Sequence, residues 1–340
     1  MPDPRDRFLR EHLALTRRYF VSLGAAGVAA LPTLNLLAAD GNLNESEPGL
    51  KESLANIESW LTPPDEFQDV SRGNPKPHSI PDDEKAALGL TRETWTLNVI
   101  ADPESPAELK SPMSVSDDTA FRFEDLMELA KTRAVRFPKV MTCLNIGCPL
   151  GNGIWEGVPM RDVIWRAEPV KDVRRVFYYG YHNDKPEQMF RSSLPVGRVL
   201  EDPFGLPPVI LCYKLNGEFL SPERGGPVRV VVPEAYGFKS IKWLTHILLT
   251  NLHSANDTYA EKNNDVDSPL KTFCETLSIP LNVDAETPIP ITGYAQVGIS
   301  GLKKVQISIQ DASQRVPKDD PHFETLKWVD AKILPPPSNW

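Results

Sequence analysis

The alternation of apolar and polar positions along the middle of the chain is typical of short β-strands. Apolar and polar residues alternate over residues 95–100, and a period of two predicts a strand with one buried face. The Asn-Gly pair at 216–217 is a tight-turn signal at the end of another apolar run. Strands are predicted over residues 95–100, 137–143, 173–181, 209–216, 228–232 and 242–250.

Helical spacing of apolar residues is less common. It occurs over residues 46–60, where Pro63 and Pro64 then end the pattern. Short helices are also predicted over residues 122–130 and 160–167. Strands and short helices mixed along one chain predict an α+β domain.

The pattern changes near residue 280. Residues 289–297, 304–310 and 327–333 alternate and are typical of strands of an immunoglobulin-like β-sandwich. A complete sandwich needs ~100 residues and about seven strands, whereas the sequence ends at Trp340. We therefore expect a fragment or a partial sandwich, whose edge strands are exposed.

The amino terminus has the features of an export signal. Arg17 and Arg18 form a twin-arginine pair, and a weakly apolar stretch over residues 20–37 ends in small residues. A membrane anchor is the alternative, but Pro32 and Asn35 make this stretch a poor spanning helix. The predicted division is a twin-arginine signal peptide over 1–39, a main domain over 40–280 and the incomplete sandwich over 281–340.

The charge balance limits the classes of partner. The chain has 37 basic and 46 acidic residues, which gives a formal net charge of −9. This excess of acid argues against binding to nucleic acid or to an anionic membrane, although a local basic pocket is compatible with it. No Cys-x-x-Cys-His motif is present for attachment of a c-type haem.

The four cysteines have two interpretations. An exported protein can form disulfides, so Cys143–Cys148 or Cys212–Cys274 bridges are one interpretation. In the other, the predicted strand 137–143 ends at the thiol of Cys143, and a glycine-rich turn follows. That arrangement presents a sulfur to a cleft, where it suits a soft metal.

The segment 224–244 has the composition of an anion-binding loop. Glycines allow a ligand to approach the backbone closely, and cations with a hydroxyl suit a phosphate group. The residues concerned are Gly225, Gly226, Arg229, Gly237, Lys239, Ser240 and Lys242. Together with Cys143, this segment predicts a site that holds a soft metal and an anion.

Cys143, the stretch Trp155-Glu-Gly-Val-Pro159 and the segment 224–244 together resemble the molybdopterin domain of the sulfite oxidase family. The resemblance implies that Cys143 is the molybdenum ligand, with Cys148 as the rival. It also implies that the molybdopterin cofactor and its phosphate contact Arg229, Ser240, Ile241 and Lys242.

The substrate pocket matches that family less well than the cofactor segment does. Arg72 resembles the arginine that helps to bind an oxyanion. Arg224 stands in place of a family histidine, and His182 in place of a family aspartate. The family's pocket tyrosine is missing around residues 262–265, and the nearest one is Tyr259. Arg72, His182 and Arg224 are therefore the catalytic candidates, and we expect poor sulfite oxidation.

The resemblance implies a molybdenum-cofactor oxidoreductase that moves an oxygen atom and two electrons on a small oxyanion such as sulfite, or on a related sulfur compound. The twin-arginine signal predicts that it is periplasmic. The alternatives are a sulfoxide reductase and a non-catalytic cofactor-binding protein of the same fold. The implied partners are a separate electron carrier such as cytochrome c and the twin-arginine export machinery. The resemblance assigns residues 40–280 to the molybdopterin-binding domain and 281–340 to an immunoglobulin-like dimerisation domain, which implies a homodimer.

Overall fold

A computed structural model describes residues 61–63, 65–143, 150–183, 185, 189–201, 207–254, 273–278, 282, 291–298, 302–310, 320 and 323–333. These residues all belong to the compact unit Glu52–Trp340. The predicted signal peptide, the predicted helix over 46–60, Cys148, Tyr259 and residues 262–265 lie outside the described residues. None of the helices in the described ranges is long and apolar enough to cross a membrane.

The described part of the chain is rich in strands. Their bounds are β1 Thr96–Ala101, β2 Glu108–Leu109, β3 Phe121–Arg122, β4 Val135–Met141, β5 Gly151–Pro159, β6 Pro169–Lys171, β7 Arg175–Gly180, β8 Arg191–Pro195, β9 Ile210–Leu215, β10 Glu218–Phe219, β11 Arg229–Val231, β12 Leu244–Thr250, β13 Phe273–Ser278, β14 Thr292–Gln296, β15 Val305–Ile307 and β16 Val329–Ala331.

Short helices connect the strands. Their bounds are α1 Asp82–Ala87, α2 Phe123–Arg133, α3 Met160–Ile164 and α4 Val196–Leu200, with single 3₁₀ turns at Pro77–Ser79, Trp165–Ala167, Pro222–Arg224 and Gly237–Lys239. At the start of α2, the Asp125 carboxylate accepts a hydrogen bond from the Arg122 backbone N–H at 2.9 Å. That bond satisfies one of the N–H groups that a helix start leaves without an intrahelical partner.

Two larger sheets form the main body. The first has the strand order β3-β1-β12-β7-β8, in which β1 and β12 run parallel and the other neighbours antiparallel. The second has the order β10-β9-β5-β4, and β11 also pairs with β9. The remaining strands form two-stranded pairs, which are β2 with β6, β13 with β14, and β15 with β16.

The main hydrophobic core is shared by both sheets. Leu97 of β1 and Ile247 of β12 belong to the same buried cluster as Val158 of β5, Leu211 of β9 and Val230 of β11. Strand side chains alternate between the two faces of a sheet, so one face of each sheet supplies this core. Each such side chain stabilises the fold by roughly 1.5–3 kcal/mol when fully buried.

The second sheet is buried on its other face as well. A smaller cluster contains Ile210 and Cys212, which flank Leu211 in β9, together with Trp155 and Phe67. Since Leu211 points into the main core, these neighbours point the opposite way. The segment that contains Phe67 therefore covers the outer face of the second sheet, and the candidate site lies there.

Most of the predicted elements are confirmed. Strands over 95–100, 173–181, 209–216, 228–232 and 242–250 correspond to β1, β7, β9, β11 and β12 within a few residues. The Asn-Gly turn is confirmed by left-handed φ angles of 53° at Asn216 and 87° at Gly217. The predicted helices over 122–130 and 160–167 correspond to α2 and to α3 with its following 3₁₀ turn.

One detail at Cys143 is wrong, because strand β4 ends at Met141 rather than at the thiol. Residues 144–149 of the predicted glycine-rich turn lie outside the described residues, and Gly151–Pro159 form β5. The glycines of β5 are needed for packing, because a Cβ at Gly151 would lie 2.1 Å from Phe67 Cδ1. Close packing therefore explains glycines that in isolation favour a turn.

The predicted alternating segments near the carboxyl end contain β14, β15 and β16. β14 pairs in antiparallel fashion with β13, which precedes the predicted boundary at residue 281. The side chain of Gln296 in β14 accepts a hydrogen bond from Val140 N–H of β4 at 2.9 Å. The division at 281 stays a prediction.

Candidate active site

A cavity of about 240 Å³ lies on the outer face of the second sheet. Most of its lining comes from residues 67–72, the end of β4 and the segment 224–243, and Leu150, Trp155, His182 and Phe190 complete it. All eight site residues predicted from the sequence line this cavity: Arg72, Cys143, His182, Arg224, Arg229, Ser240, Ile241 and Lys242. The structure thus brings together side chains that are up to 170 positions apart in the chain.

A single glycine joins the Cys143 turn to the segment 224–243. The backbone N–H of Gly237 donates to Thr142 O at 2.8 Å. A Cβ at Gly237 would lie 2.6 Å from that same oxygen, so a larger residue requires the two segments to separate. Cys143 follows Thr142, is partly buried and packs against the smaller hydrophobic cluster. Its thiol therefore lies beside the polar segment, as the sequence predicts.

Arg229 is the most deeply placed cation of the cavity. Its guanidinium donates to Arg224 O at 2.9 Å and to Ser240 O at 2.6 Å, and it lies 5.1 Å from the Trp155 ring centroid. Burial lowers the pKa of Arg229 to about 10, so the group keeps its charge at neutral pH. Its Nε atom is buried and has no hydrogen-bond partner among the described residues.

Lys242 provides a second buried cation. Its ammonium donates to Asp69 Oδ1 at 3.1 Å, to Ser71 Oγ at 2.8 Å and to Glu223 O at 2.5 Å. Burial, and then repulsion from Arg229, lowers the pKa of Lys242 to about 7. Gly225 makes room for this side chain, since a Cβ there would lie 2.6 Å from Lys242 Cγ.

Ser240 and Ile241 shape the backbone between these cations. The Ser240 hydroxyl accepts a hydrogen bond from Val232 N–H at 3.1 Å, and Ile241 O accepts one from Val230 N–H at 2.8 Å. A serine hydroxyl can accept and also donate, so Ser240 retains a proton for a ligand. Lys239 was predicted as a further phosphate cation, and this is wrong. Its Nζ donates to Ser193 O at 2.9 Å, and it does not line the cavity.

Two of the three predicted substrate residues, Arg72 and His182, meet at an aromatic side chain. The Arg72 guanidinium carbon lies 4.5 Å from the Phe190 ring centroid, and the His182 ring stacks on Phe190 at 6.2 Å with an angle of 18°. Burial and the charge of Arg72 lower the pKa of His182, so its imidazole is neutral at neutral pH. His182 Nε2 is buried without a partner in the described structure.

Arg224 connects the cavity to the segment that covers it. Its guanidinium donates to Phe67 O at 3.0 Å and to Gln68 O at 3.2 Å, and it lies 5.4 Å from the Phe67 ring centroid. Burial lowers the pKa of Arg224. This side chain therefore fixes residues 67–68 and also places a positive charge at the cavity wall.

Sequence reasoning missed several lining residues. Thr142 and Phe190 carry no motif signal, and the hydroxyl of Thr142 is buried without a partner among the described residues. Asp69 lies beside the lining residues Gln68 and Ser71, and it pairs with Lys242 from 173 positions away. An isolated aspartate in an irregular segment offers no pattern from which that pairing can be predicted.

The cavity fits a ligand that is polar and anionic and that carries a soft metal. Buried polar atoms are nearly always hydrogen-bonded in folded proteins. Around this cavity Thr142 Oγ1, His182 Nε2 and Arg229 Nε are not bonded within the described structure. Their donors and acceptors, together with the cations and the Cys143 thiol, match a molybdopterin with its phosphate and metal.

The structure also decides one of the disulfide alternatives. Cys212 is fully buried, and its thiol donates to Lys214 O at 3.2 Å, whereas Cys274 is exposed and also unbridged. The Cys212–Cys274 bridge is therefore absent. Burial raises the pKa of Cys212 to about 12, which leaves it an inert thiol. The pairing of Cys143 with Cys148 stays untested, because Cys148 lies outside the described residues.

Comparison with known proteins identifies the family. Residues 90–258 match the oxidoreductase molybdopterin binding domain. A segment of 144 residues is 31% identical to the mitochondrial sulfite oxidase of Drosophila melanogaster, and covers 42% of this chain and 24% of that protein. The chain belongs to the sulfite oxidase family. Its cofactor is molybdopterin.

Other relatives extend this result. A segment of 202 residues is 31% identical to the NADH nitrate reductase of Spinacia oleracea. This segment covers 57% of this chain and 20% of that enzyme. The chain thus spans about a quarter or less of these curated relatives. Its fold is also similar to that of the sulfane dehydrogenase SoxCD from Paracoccus pantotrophus. The TM-score is 0.50 and the identity 18%, with coverage of 91% of this chain and 78% of that chain.

The family match contains seven of the eight predicted site residues. Arg72 lies before residue 90 and is therefore placed at the cavity by the structure alone. The segment 224–244 thus lies within the matched molybdopterin-binding domain. The roles of its individual residues stay predictions.

Proposed function

We propose that this protein is a periplasmic molybdenum oxidoreductase that acts on a small oxyanion or a related sulfur compound. The observation that carries this proposal is the single cavity that holds the Cys143 thiol beside the buried cations Arg229 and Lys242. When bound, the molybdenum cofactor supplies two-electron redox chemistry and oxygen-atom transfer. The chain itself supplies binding, orientation and electrostatics.

One part of the cavity is suited to hold the cofactor. Arg229 Nε and the Ser240 hydroxyl each have a proton to donate, and the positive charge of Lys242 lies close by. Charge-assisted hydrogen bonds from such groups bind phosphate oxygens strongly. Cys143 supplies a thiolate, the protein ligand that suits a soft metal.

Another part of the cavity is suited to hold the substrate. Arg72 and Arg224 place positive charge at the wall, and the neutral imidazole of His182 can give or accept one hydrogen bond. Phe67 and Phe190 exclude water around these groups, which strengthens their attraction for an oxyanion. These residues bind and orient the substrate next to the Cys143 end of the site.

The aromatic lining favours a second candidate, reduction of an organic sulfoxide. Phe67, Phe190, Phe238 and Trp243 offer apolar contacts that sulfite cannot use. Turnover of sulfite with cytochrome c as acceptor, measured against sulfoxide reduction with a dye donor, separates the two activities. We expect sulfite turnover to remain below ~10⁷ M⁻¹s⁻¹ in kcat/KM. A molybdenum-loaded protein that turns over neither class of substrate supports a non-catalytic role and contradicts the enzyme proposal.

The proposed location and partners rest on sequence. The Arg17-Arg18 pair supports twin-arginine export, a route that carries folded proteins and suits a protein loaded with cofactor beforehand. The lack of a haem-attachment motif supports a separate electron carrier such as cytochrome c. We propose the homodimer through residues 281–340 on the basis of the family resemblance.

A further inference from the structure

Asp69 forms an ion pair that the motif analysis does not assign to any function. Its carboxylate contacts Lys242 Nζ at 3.1 Å, at the edge of the cavity. The Lys242 side chain has an exposed fraction of 12% and that of Asp69 24%, so the pair is largely shielded from solvent. Shielding makes the attraction stronger than that of an ordinary surface pair.

The three donors of the Lys242 ammonium are all engaged. An ammonium has three N–H groups, and here they meet Asp69 Oδ1, Ser71 Oγ and Glu223 O. An incoming phosphate oxygen must therefore replace one of these acceptors. Asp69 is the only one of the three that carries a negative charge, so its exchange for a phosphate oxygen keeps an anionic acceptor at Lys242.

Asp69 can release Lys242 without losing its other partners. Its Oδ1 accepts the Ser71 backbone N–H at 2.9 Å, and its Oδ2 accepts Lys76 Nζ at 2.9 Å. His78 Nε2 lies 3.8 Å from Oδ2. Although burial alone raises the pKa of Asp69, the bonds from Ser71 and Lys76 and the charge of Lys242 hold it well below the usual range. The Asp69 carboxylate therefore stays ionised both before and after an anion displaces it from Lys242.

We propose that Asp69 is a built-in competitor for the cofactor's phosphate at Lys242. It neutralises the buried ammonium while the cavity is empty, and an anionic group displaces it on binding. This inference rests on the proposed cofactor site but assigns a new role to a residue outside the family match. Asp69 is a positioning residue, because it acts through Lys242.

The test measures binding of inorganic sulfate, a small tetrahedral dianion, to the full chain prepared without cofactor. At about pH 5.5 both Lys242 and Asp69 are ionised in the wild type. Asp69→Asn keeps the shape and removes the competing charge, so we expect sulfate to bind about tenfold more tightly, by calorimetry. Asp82→Asn is the matched control, because Asp82 is exposed and pairs only with Lys85 among the described residues. It should leave the affinity unchanged.

A second pair of variants tests whether Asp69 changes the sulfate affinity through Lys242. In a Lys242→Met background, Asp69→Asn should no longer change sulfate affinity. Unchanged or weaker binding by Asp69→Asn, or a gain that persists without Lys242, overturns the inference. In the loaded protein, Asp69→Asn should also slow the release of pterin, followed by its fluorescence. Absence of molybdenum and pterin from the loaded wild type is a separate result, and it contradicts the proposed function instead.

Discussion

Arg229 and Lys242 place two positive charges inside the protein, at the cavity that the Cys143 thiol also lines. Burial of a charge is costly unless another group compensates it. Here hydrogen bonds to carbonyl oxygens compensate Arg229, and Asp69 compensates much of the charge of Lys242. The lowered pKa values of both side chains show that this compensation is incomplete. An anionic ligand completes it, so charge burial itself favours binding at this site.

The lowered pKa of Lys242 predicts a pH-dependent affinity for anions. With a pKa of about 7, Lys242 is charged below neutral pH and loses its proton above it. Sulfate does not change its own charge over this range. We therefore expect its affinity for the cofactor-free chain to fall about tenfold between about pH 6 and pH 8, as measured by calorimetry.

Two lysine variants separate this effect from other titrations. Lys242→Met should bind sulfate weakly and lose the pH dependence, whereas Lys76→Met should keep it, because Lys76 contacts only the far oxygen of Asp69. The other charged or titratable groups near Lys242 are Arg224, Arg229, Asp69, Glu223 and His78. An unchanged slope in Lys242→Met contradicts the assignment of the titration to Lys242.

Replacement of the thiol tests the predicted metal ligand. Cys143→Ser exchanges a soft thiolate for a harder oxygen, so activity should fall by orders of magnitude and the sulfur-to-metal absorption should change. Pterin should remain bound, and folding should survive, since one buried sulfur contributes only ~1–2 kcal/mol. Serine variants of Cys148, Cys212 and Cys274 serve as controls. If Cys148→Ser alone loses the sulfur-to-metal absorption and Cys143→Ser keeps it, the metal ligand is Cys148 and the assignment to Cys143 is wrong.

That Cys143, Arg229 and Lys242 belong to the site could be predicted from the sequence, because they lie in segments with a distinctive composition. Their individual hydrogen bonds and ion pairs could not be predicted. The direction of Lys239 away from the cavity depends on Ser193, and the pairing of Lys242 depends on Asp69. Both partners are distant in sequence, so only the folded chain determines which cations remain at the site.

At the scale of elements, the close approach of neighbouring backbones explains strand β5, which the pattern of apolar and polar residues did not predict. Central strand β5 contains Gly151, Gly153 and Gly157, and strand propensity alone disfavours glycine. A Cβ at Gly157 would lie 2.4 Å from Leu211 O in the neighbouring strand. The strands β1, β7 and β9 were predicted because apolar and polar side chains alternate along them. In β5 the glycines hide that alternation, and they are required by the neighbouring residues that pack closely against them.

The approach of Gly237 to Thr142 predicts a sensitive position. Gly237→Ala should push the Cys143 turn away from the cofactor segment and destabilise the protein by roughly 1–3 kcal/mol. The loaded protein should also lose pterin faster. Thermal unfolding and pterin fluorescence measure the two effects.

The matched control is Gly197→Ala in α4. Apart from its chain neighbours and the backbone of its own helix, no heavy atom of the described residues lies within 4 Å of a Cβ built at Gly197. Alanine is favoured over glycine inside a helix by roughly 0.5–1 kcal/mol, so this variant should be neutral or slightly more stable. Equal stability and equal pterin retention in the two variants would falsify the proposed coupling between the turn and the cofactor segment.

At the scale of the whole molecule, the segment 67–72, the outer face of the second sheet and the segment 224–243 meet at one cavity. The covering segment is held across the second sheet by Arg224 and by the Asp69–Lys242 pair. The α+β class and the family resemblance were evident from the sequence. The parallel pairing of β1 with β12 was not, because these strands are about 150 positions apart and their partners are chosen by packing.

The twin-arginine pair predicts how the whole molecule reaches its location. Changing Arg17 and Arg18 to lysine removes the recognition motif and leaves the described domain unaltered. We expect the variant to accumulate in the cytoplasm with cofactor bound, as measured by fractionation with pterin fluorescence. Normal delivery of this double variant to the periplasm would contradict twin-arginine export.

The most direct test of the account is the molybdenum and pterin content of the purified full chain, produced in a host that makes the cofactor. The account predicts one molybdenum and one pterin per chain, by metal analysis and fluorescence. A Lys242→Met and Arg229→Met double variant should retain much less of both, because it removes the buried cations that bind the anionic cofactor. A wild-type protein that contains neither molybdenum nor pterin would contradict the central claim that this cavity is a molybdopterin site.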